Sequence, residues 1–205
     1  MKITRFAVIG LSFLSLISCD RHSQTGQPKQ DKAVSAAAVL NTQWTDAAAK
    51  LAEASSNRLL GKGKPGFSLP QLRVYDPGER LILNQSGNKP GTLAATMQRV
   101  ITADRPIVGP TFPQTVGDLQ TADHGAATGR IVGKGKTTIF DYWADWCVPC
   151  KALEKELIAW AATQPVNSVQ IVRVEADLTK LARDRGEKVI MIKKDASGNL
   201  VKVEM

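Results

Sequence analysis

The sequence predicts an α/β protein: a central mixed sheet flanked by helices over residues 117–205, preceded by a small α+β module over residues 41–116. Three observations predict it. From Thr137 onward the chain reads strand, helix, strand, helix, hairpin. Cys147-Val148-Pro149-Cys150 stands at the junction of the first of those strands and its helix. Earlier, residues 67–103 read strand, turn, strand, helix.

In order, Lys2 and Arg5 precede an apolar run from Phe6 to Ile17. That run is too short to span a bilayer comfortably and has the layout of an export signal, residues 1–18; the other readings are an ordinary signal peptide or a non-cleaved anchor, with Cys19 incidental. Residues 19–40, rich in Gln, Ser, Lys and Ala, read as a flexible tether. Trp44 to Leu60 is predicted helical, with Trp44, Ala47, Ala48, Leu51 and Ala52 at helical spacing and Gly61 as a stop. Gln71–Tyr75 and Arg80–Asn84 are predicted strands around the turn Asp76-Pro77-Gly78-Glu79. Thr92–Ile101 follows as a helix with Leu93, Met97, Val100 and Ile101 on one face. Pro106, Pro110 and Pro113 mark residues 104–116 as a linker. Residues 117–136 are Gly-rich and offer room for a leading strand of the second domain. Gly135-Lys136-Thr137 ends like a phosphate loop, but Arg130 stands where the motif needs its first glycine, and a strand follows instead of a helix. A solvated basic loop is the reading.

Thr137–Ala144 is apolar enough for a central strand. Cys147 to about Thr163 is predicted helical, with Leu153, Leu157, Ile158, Trp160 and Ala161 inward. Ser168–Val174 is a strand, Leu178–Arg185 a helix stopped by Gly186, and Lys188–Lys193 with Leu200–Val203 a hairpin.

The chemistry concentrates at the cysteine pair. Spacing of i and i+3 puts both sulfurs on one face at a helix N-terminus, where free N–H groups and the helix dipole favour thiolate. Cys147, nearer the start, is the expected exposed nucleophile and Cys150 the resolving thiol. A structural disulfide and half a metal site are the other readings of such a pair. Two thiolates make an incomplete zinc site, and neither His22 nor His124 has ligand spacing, so no metal or other cofactor is expected. Asp141, six residues before Cys147 inside the apolar strand, would have a raised pKa if buried and could take the resolving thiol's proton. Glu154, one turn beyond Cys150, would oppose thiolate formation. Trp146 and Pro149 would shape the substrate surface, with Trp143 in the core.

The run Asp141-Tyr142-Trp143-Ala144-Asp145-Trp146-Cys147-Val148-Pro149-Cys150-Lys151 resembles the active-site segment of the thioredoxin superfamily. With Glu154-Lys155 after it, it is most similar to the C-terminal domain of DsbD-type transmembrane reductases; the Val-Pro pair is also similar to TlpA-type membrane-anchored reductases. The resemblance implies a thioredoxin-like fold and dithiol–disulfide exchange. It gives Asp141 the role of buried acid, Glu154 that of tuning the thiols, and Arg173 that of the basic residue beside the acid. It also implies a cis-proline opposite the disulfide. That position falls at Lys188 or Val189, and no proline follows Pro165. The 67–103 unit, with Leu69-Pro70 at its entrance, is expected to be a generic hairpin-and-helix module; its order also resembles the closing half of a thioredoxin fold. Leu16-Ile17-Ser18-Cys19 resembles a bacterial lipoprotein box, implying lipid on Cys19, and Asp20 resembles an inner-membrane retention signal. One cysteine for lipid and two for redox then account for all three.

The formal charge of +8 is scattered among acids, with no basic stripe interleaved with aromatics, so nucleic acid is not an expected partner. Anionic lipid headgroups are a better match. The expectation is a membrane-tethered thiol–disulfide oxidoreductase on the periplasmic face of the inner membrane, with the outer membrane as the alternative. It would reduce oxidised or thiol-containing envelope proteins with electrons from a DsbD-type membrane donor. The competing functions are a non-catalytic thioredoxin-like lipoprotein in an envelope assembly, and copper handling by the dithiol.

Overall fold

Thr137 to Tyr142 is buried without interruption, as a strand covered on both faces must be, and the sheet is built outward from it. The computed structural model describes residues 37–60, 68–187, 190–194 and 200–204. Its elements are β1 (Ala38–Trp44), α1 (Asp46–Leu60), β2 (Gln71–Tyr75), β3 (Leu81–Ser86), α2 (Leu93–Ala103), α3 (Phe112–Gly117), β4 (Leu119–Gln120), β5 (Thr137–Trp143), α4 (Val148–Ala161), β6 (Val169–Glu175), α5 (Leu178–Asp184), β7 (Ile190–Lys194) and β8 (Leu200–Glu204). Six strands form one mixed sheet in the order β3-β2-β5-β6-β1-β4. β1, β6 and β5 run parallel; β2 runs antiparallel to β5 and to β3.

Residue alternation along β5 sorts the two faces. Ile139 joins Leu72, Val74 and Ile171 beneath α2 and α4, packed on Met97, Leu153, Leu157 and Trp160. Phe140 and Tyr142 face the other way, with Trp44, Ala49, Tyr75, Phe112, Val116 and Leu181. Leu153 and Leu157 are fully buried, each contributing roughly 1.5–3 kcal/mol relative to an exposed position. The result is a thioredoxin-like fold, a central mixed sheet flanked by helices.

Several expectations are corrected. The units drawn as 41–116 and 117–205 share one sheet: β2 lies beside β5, with Leu72 opposite Asp141 and Val74 opposite Ile139. The chain from residue 34 on clusters as one compact unit. The expected C-terminal hairpin, β7–β8, forms a separate two-stranded sheet, and β2 lies on the flank of β5. The leading strand is not in 117–136. It is β1, whose start overlaps the expected tether and whose end takes Trp44 out of the expected helix. Alternation in Ala-Val-Leu-Asn-Thr-Gln-Trp is weak, and only pairing with β6 makes it a strand.

The 104–116 linker contains α3, where Thr111 and Gln114 form a reciprocal capping box and Phe112, Thr115 and Val116 are buried. Three apolar residues assigned inward, Leu51, Ile101 and Ile158, are exposed. Ile101 and Ile158 lie at the rims of their helices' buried stripes, where sequence spacing alone does not choose, whereas Leu51 lies across α1 from buried Ala49. The export signal, Cys19 and Asp20 lie outside the described residues, as do Lys188 and Val189. Among the described residues no helix is long and apolar enough to cross a membrane.

Candidate functional site

β5 delivers the chain to Ala144, whose carbonyl accepts from Cys147 N–H at 3.0 Å. This turn makes Cys147 the N-cap of α4, with backbone angles outside the helical range. Pro149 fits the first helical turn, where its missing N–H costs nothing. Cys147 and Cys150 are joined as a disulfide, Cα atoms 5.3 Å apart. The Cys147 sulfur accepts from Cys150 N–H at 3.2 Å. On reduction that hydrogen bond and the helix N-terminus would both stabilise a Cys147 thiolate.

The pair is not exposed. Cys147 and Cys150 are 2% and 1% accessible and pack with Ala144, half-buried Trp143 and Leu69. The expectation of an open Cys147 is corrected: as a disulfide, its sulfur is turned into this small apolar cluster. Exposure belongs to its neighbours, with Trp146 at 66%, Val148 at 74% and Pro149 also open.

Leu69 supplies the wall opposite the dithiol, and the Leu69–Pro70 peptide bond is cis. The position sought at Lys188 or Val189 thus has a counterpart 118 residues earlier in the chain, counting from Pro70 to Lys188. The strand–strand–helix unit behind it, β2-β3-α2, closes the sheet on this side. The generic-module expectation gives way to its alternative.

Asp141 is completely buried, and neither carboxylate oxygen has a hydrogen-bond partner. Burial pushes its pKa up to about 7; Arg173 opposes this, and Glu154 adds to it. Arg173 stands opposite Asp141 across the β5–β6 pair. Its Nε is 3.8 Å from Asp141 Oδ2, too long for a hydrogen bond, while its Nη1 is 2.9 Å from Glu154 Oε1. Its guanidinium also lies 4.3 Å from the centre of the Trp143 ring. Glu154 and Trp143 hold the arginine, so the buried acid receives only a partial, unbonded charge. Asp141, Arg173 and Glu154 are therefore brought together on the α4 side of the sheet. Glu154, expected to tune the thiols, is in contact with Arg173. That contact is not readable from spacing, because it joins residues on different elements.

Across the sheet, Arg73 Nη1 donates to the Tyr142 hydroxyl at 3.0 Å. Burial, partly opposed by Arg73, raises the Tyr142 pKa. His124 is an exposed loop residue whose Nδ1 lies 3.2 Å from Gln120 Nε2. Among the described residues no group of three or more His, Cys, Asp or Glu is placed to hold a metal ion.

Residues 125–192 match the protein-family model described as Thioredoxin. The thioredoxin domain it marks contains Asp141, the cysteine pair, Glu154 and Arg173, and omits β2, β3 and α2. No curated protein and no solved structure matches the chain. A thioredoxin domain with a closed cysteine pair supports oxidoreductase chemistry at that pair.

Proposed function

We propose that this protein is a membrane-tethered, extracytoplasmic thiol–disulfide oxidoreductase working in the reducing direction. The observation that carries the reading is the Cys147–Cys150 pair capping α4 while Asp141, with a pKa near 7, lies buried in the strand that delivers it. Reduced Cys147 attacks one sulfur of a substrate disulfide as thiolate; the substrate S–S bond breaks and a mixed disulfide forms. Asp141, ionised near neutral pH, accepts the Cys150 proton. The Cys150 thiolate then attacks the Cys147 sulfur, forming the Cys147–Cys150 bond and releasing the second substrate thiolate. The substrate gains two electrons and the protein loses two. The exposed Trp146 and Val148 offer an apolar rim on which a substrate segment can lie.

The reducing direction is supported by Asp141 and Glu154, carboxylates that disfavour a strongly depressed thiol pKa. Tethering is supported by the Phe6–Ile17 run and the Cys19 context. The periplasmic face of the inner membrane is the location this reading implies, with a DsbD-type membrane reductase as electron donor and disulfide-bearing envelope proteins as substrates.

The test is insulin reduction by the full chain with a thiol donor, beside Cys147→Ser. Turnover that depends on Cys147 supports the reading; activity untouched by Cys147→Ser overturns it. Intact mass of the membrane fraction reads whether Cys19 carries lipid.

A further inference from the structure

The end of the sheet opposite the dithiol has a composition of its own. β1, β5 and β6 all begin there, and among the described residues four loops lie at it: 76–80, 104–110, 130–136 and 162–168. Three of them are tied to one another or to the strand ends. Gly135 N–H donates to Pro77 O at 3.0 Å, Ile107 N–H to Leu81 O at 2.8 Å, and Val132 N–H to Gln170 Oε1 at 3.1 Å. Gly133 fits so closely that a Cβ there would lie 2.6 Å from the Phe112 ring.

Three of these loops each put an aliphatic side chain into solvent: Val108 is fully exposed, Val132 50% and Val166 66%. Beside them lie Arg105, Arg130, Lys134 and Lys136, none in an ion pair among the described residues. Of the nearby acids, Asp76 is buried and bonded to Arg80, which also pairs with Asp104, and Asp123 is bonded to Thr121 and acts at longer range on Arg130; Glu79 is half-buried and in no ion pair among the described residues, leaving four cations against one unengaged carboxylate. Aliphatic tips framed by unpaired cations, on rigid loops, complement the boundary between acyl chains and anionic headgroups. The described chain enters β1 at this same end, at Ala37 and Ala38.

We infer that this pole rests on an anionic lipid surface, with Val108, Val132 and Val166 at headgroup depth and Lys134, Lys136, Arg105 and Arg130 on lipid phosphates. The inference rests on the lipid-anchored reading of Cys19, and it adds an orientation. The dithiol projects away from the bilayer by at least the length of β5, seven residues or about 23 Å, and is presented to soluble substrates.

Hydrogen exchange of the full lipidated chain in vesicles tests it. One set is phosphatidylethanolamine with phosphatidylglycerol, the other phosphatidylcholine alone. Loops 104–110, 130–136 and 162–168 are expected to exchange about tenfold more slowly on the anionic vesicles, with residues 145–151 unchanged. K134E/K136E is expected to remove the difference while leaving insulin reduction in solution intact. Equal exchange of the three loops on both vesicle types overturns the inference, as does slowing at 145–151 instead. Intact mass separates this from the anchoring reading. If Cys19 carries no lipid, that reading fails alone, and the same exchange comparison with saturating vesicles still decides whether the pole meets lipid.

Discussion

Replacing Asp141 with Asn should stabilise the oxidised protein at alkaline pH and leave the gain absent in acid. The carboxyl is buried without a hydrogen bond, and its pKa is raised from 3.8 to about 7, first by burial. The folded state therefore holds this proton over a range in which the unfolded chain has released it. Below about pH 4 both states are protonated and the stability is fully present. Between about pH 4 and pH 7 only the unfolded chain ionises, so stability falls as pH rises; above about pH 7 the loss is complete. With the pKa raised from 3.8 to about 7, and about 1.4 kcal/mol for each factor of ten in proton affinity, that loss is about 4 kcal/mol. Asn does not titrate, so the advantage of Asp141→Asn should grow by about this amount from pH 4 to pH 8. Urea unfolding of both oxidised proteins across that range reads the difference, with the disulfide closed so that no thiol titrates. A difference that stays flat with pH would refute the buried, unbonded carboxyl. The same variant should lose activity, because Cys150 loses its proton acceptor: about tenfold to a hundredfold slower mixed-disulfide resolution at pH 7, read by stopped-flow.

Glu154→Gln removes a carboxylate that raises the Asp141 pKa and frees Arg173 to pair with Asp141, so both effects lower that pKa. The acid limb of the pH–rate profile should move to lower pH, and an upward move would contradict this arrangement. Gly133→Ala places a Cβ 2.6 Å from the buried Phe112 ring and should destabilise by about 1–3 kcal/mol in thermal unfolding, whereas unchanged stability would mean the contact yields freely. A fragment of residues 117–205 lacks β1, β2, β3 and α2 and leaves β5 and β6 without their neighbouring strands. It should show no cooperative unfolding, and a folded fragment would restore the boundary at residue 116.

The half of the fold that carries the dithiol was legible because its signals are local. An apolar strand ending at Ala144, a cysteine pair and the Leu153-Leu157-Trp160 stripe are each contiguous in sequence. The remaining half required pairing over long separations. β1 is a weak strand by composition and exists through its register with β6, more than a hundred residues later. Leu69-Pro70 reads in sequence as the entrance to a hairpin, yet the place of Leu69 beside the disulfide depends on β2 docking antiparallel on β5. No local pattern encodes that docking. Proline content predicts a linker where Thr111 and Gln114 in fact cap α3, because the box is interleaved with prolines, Thr111 following Pro110 and Gln114 following Pro113. At the site, Asp141 and the cysteines could be chosen from sequence. Arg173 and Glu154 were reachable through the family resemblance, but their contact with each other and with the Trp143 ring was not, since side chains from three elements meet there.

The central claim is that Cys147 and Cys150 form a reducing dithiol. Its most direct test is the equilibrium reduction potential of that pair in the full chain, measured against a glutathione or dithiothreitol couple. The account predicts a value at or below about −200 mV, in the range of reducing dithiols, and one near −120 mV, typical of strong oxidants, would contradict it.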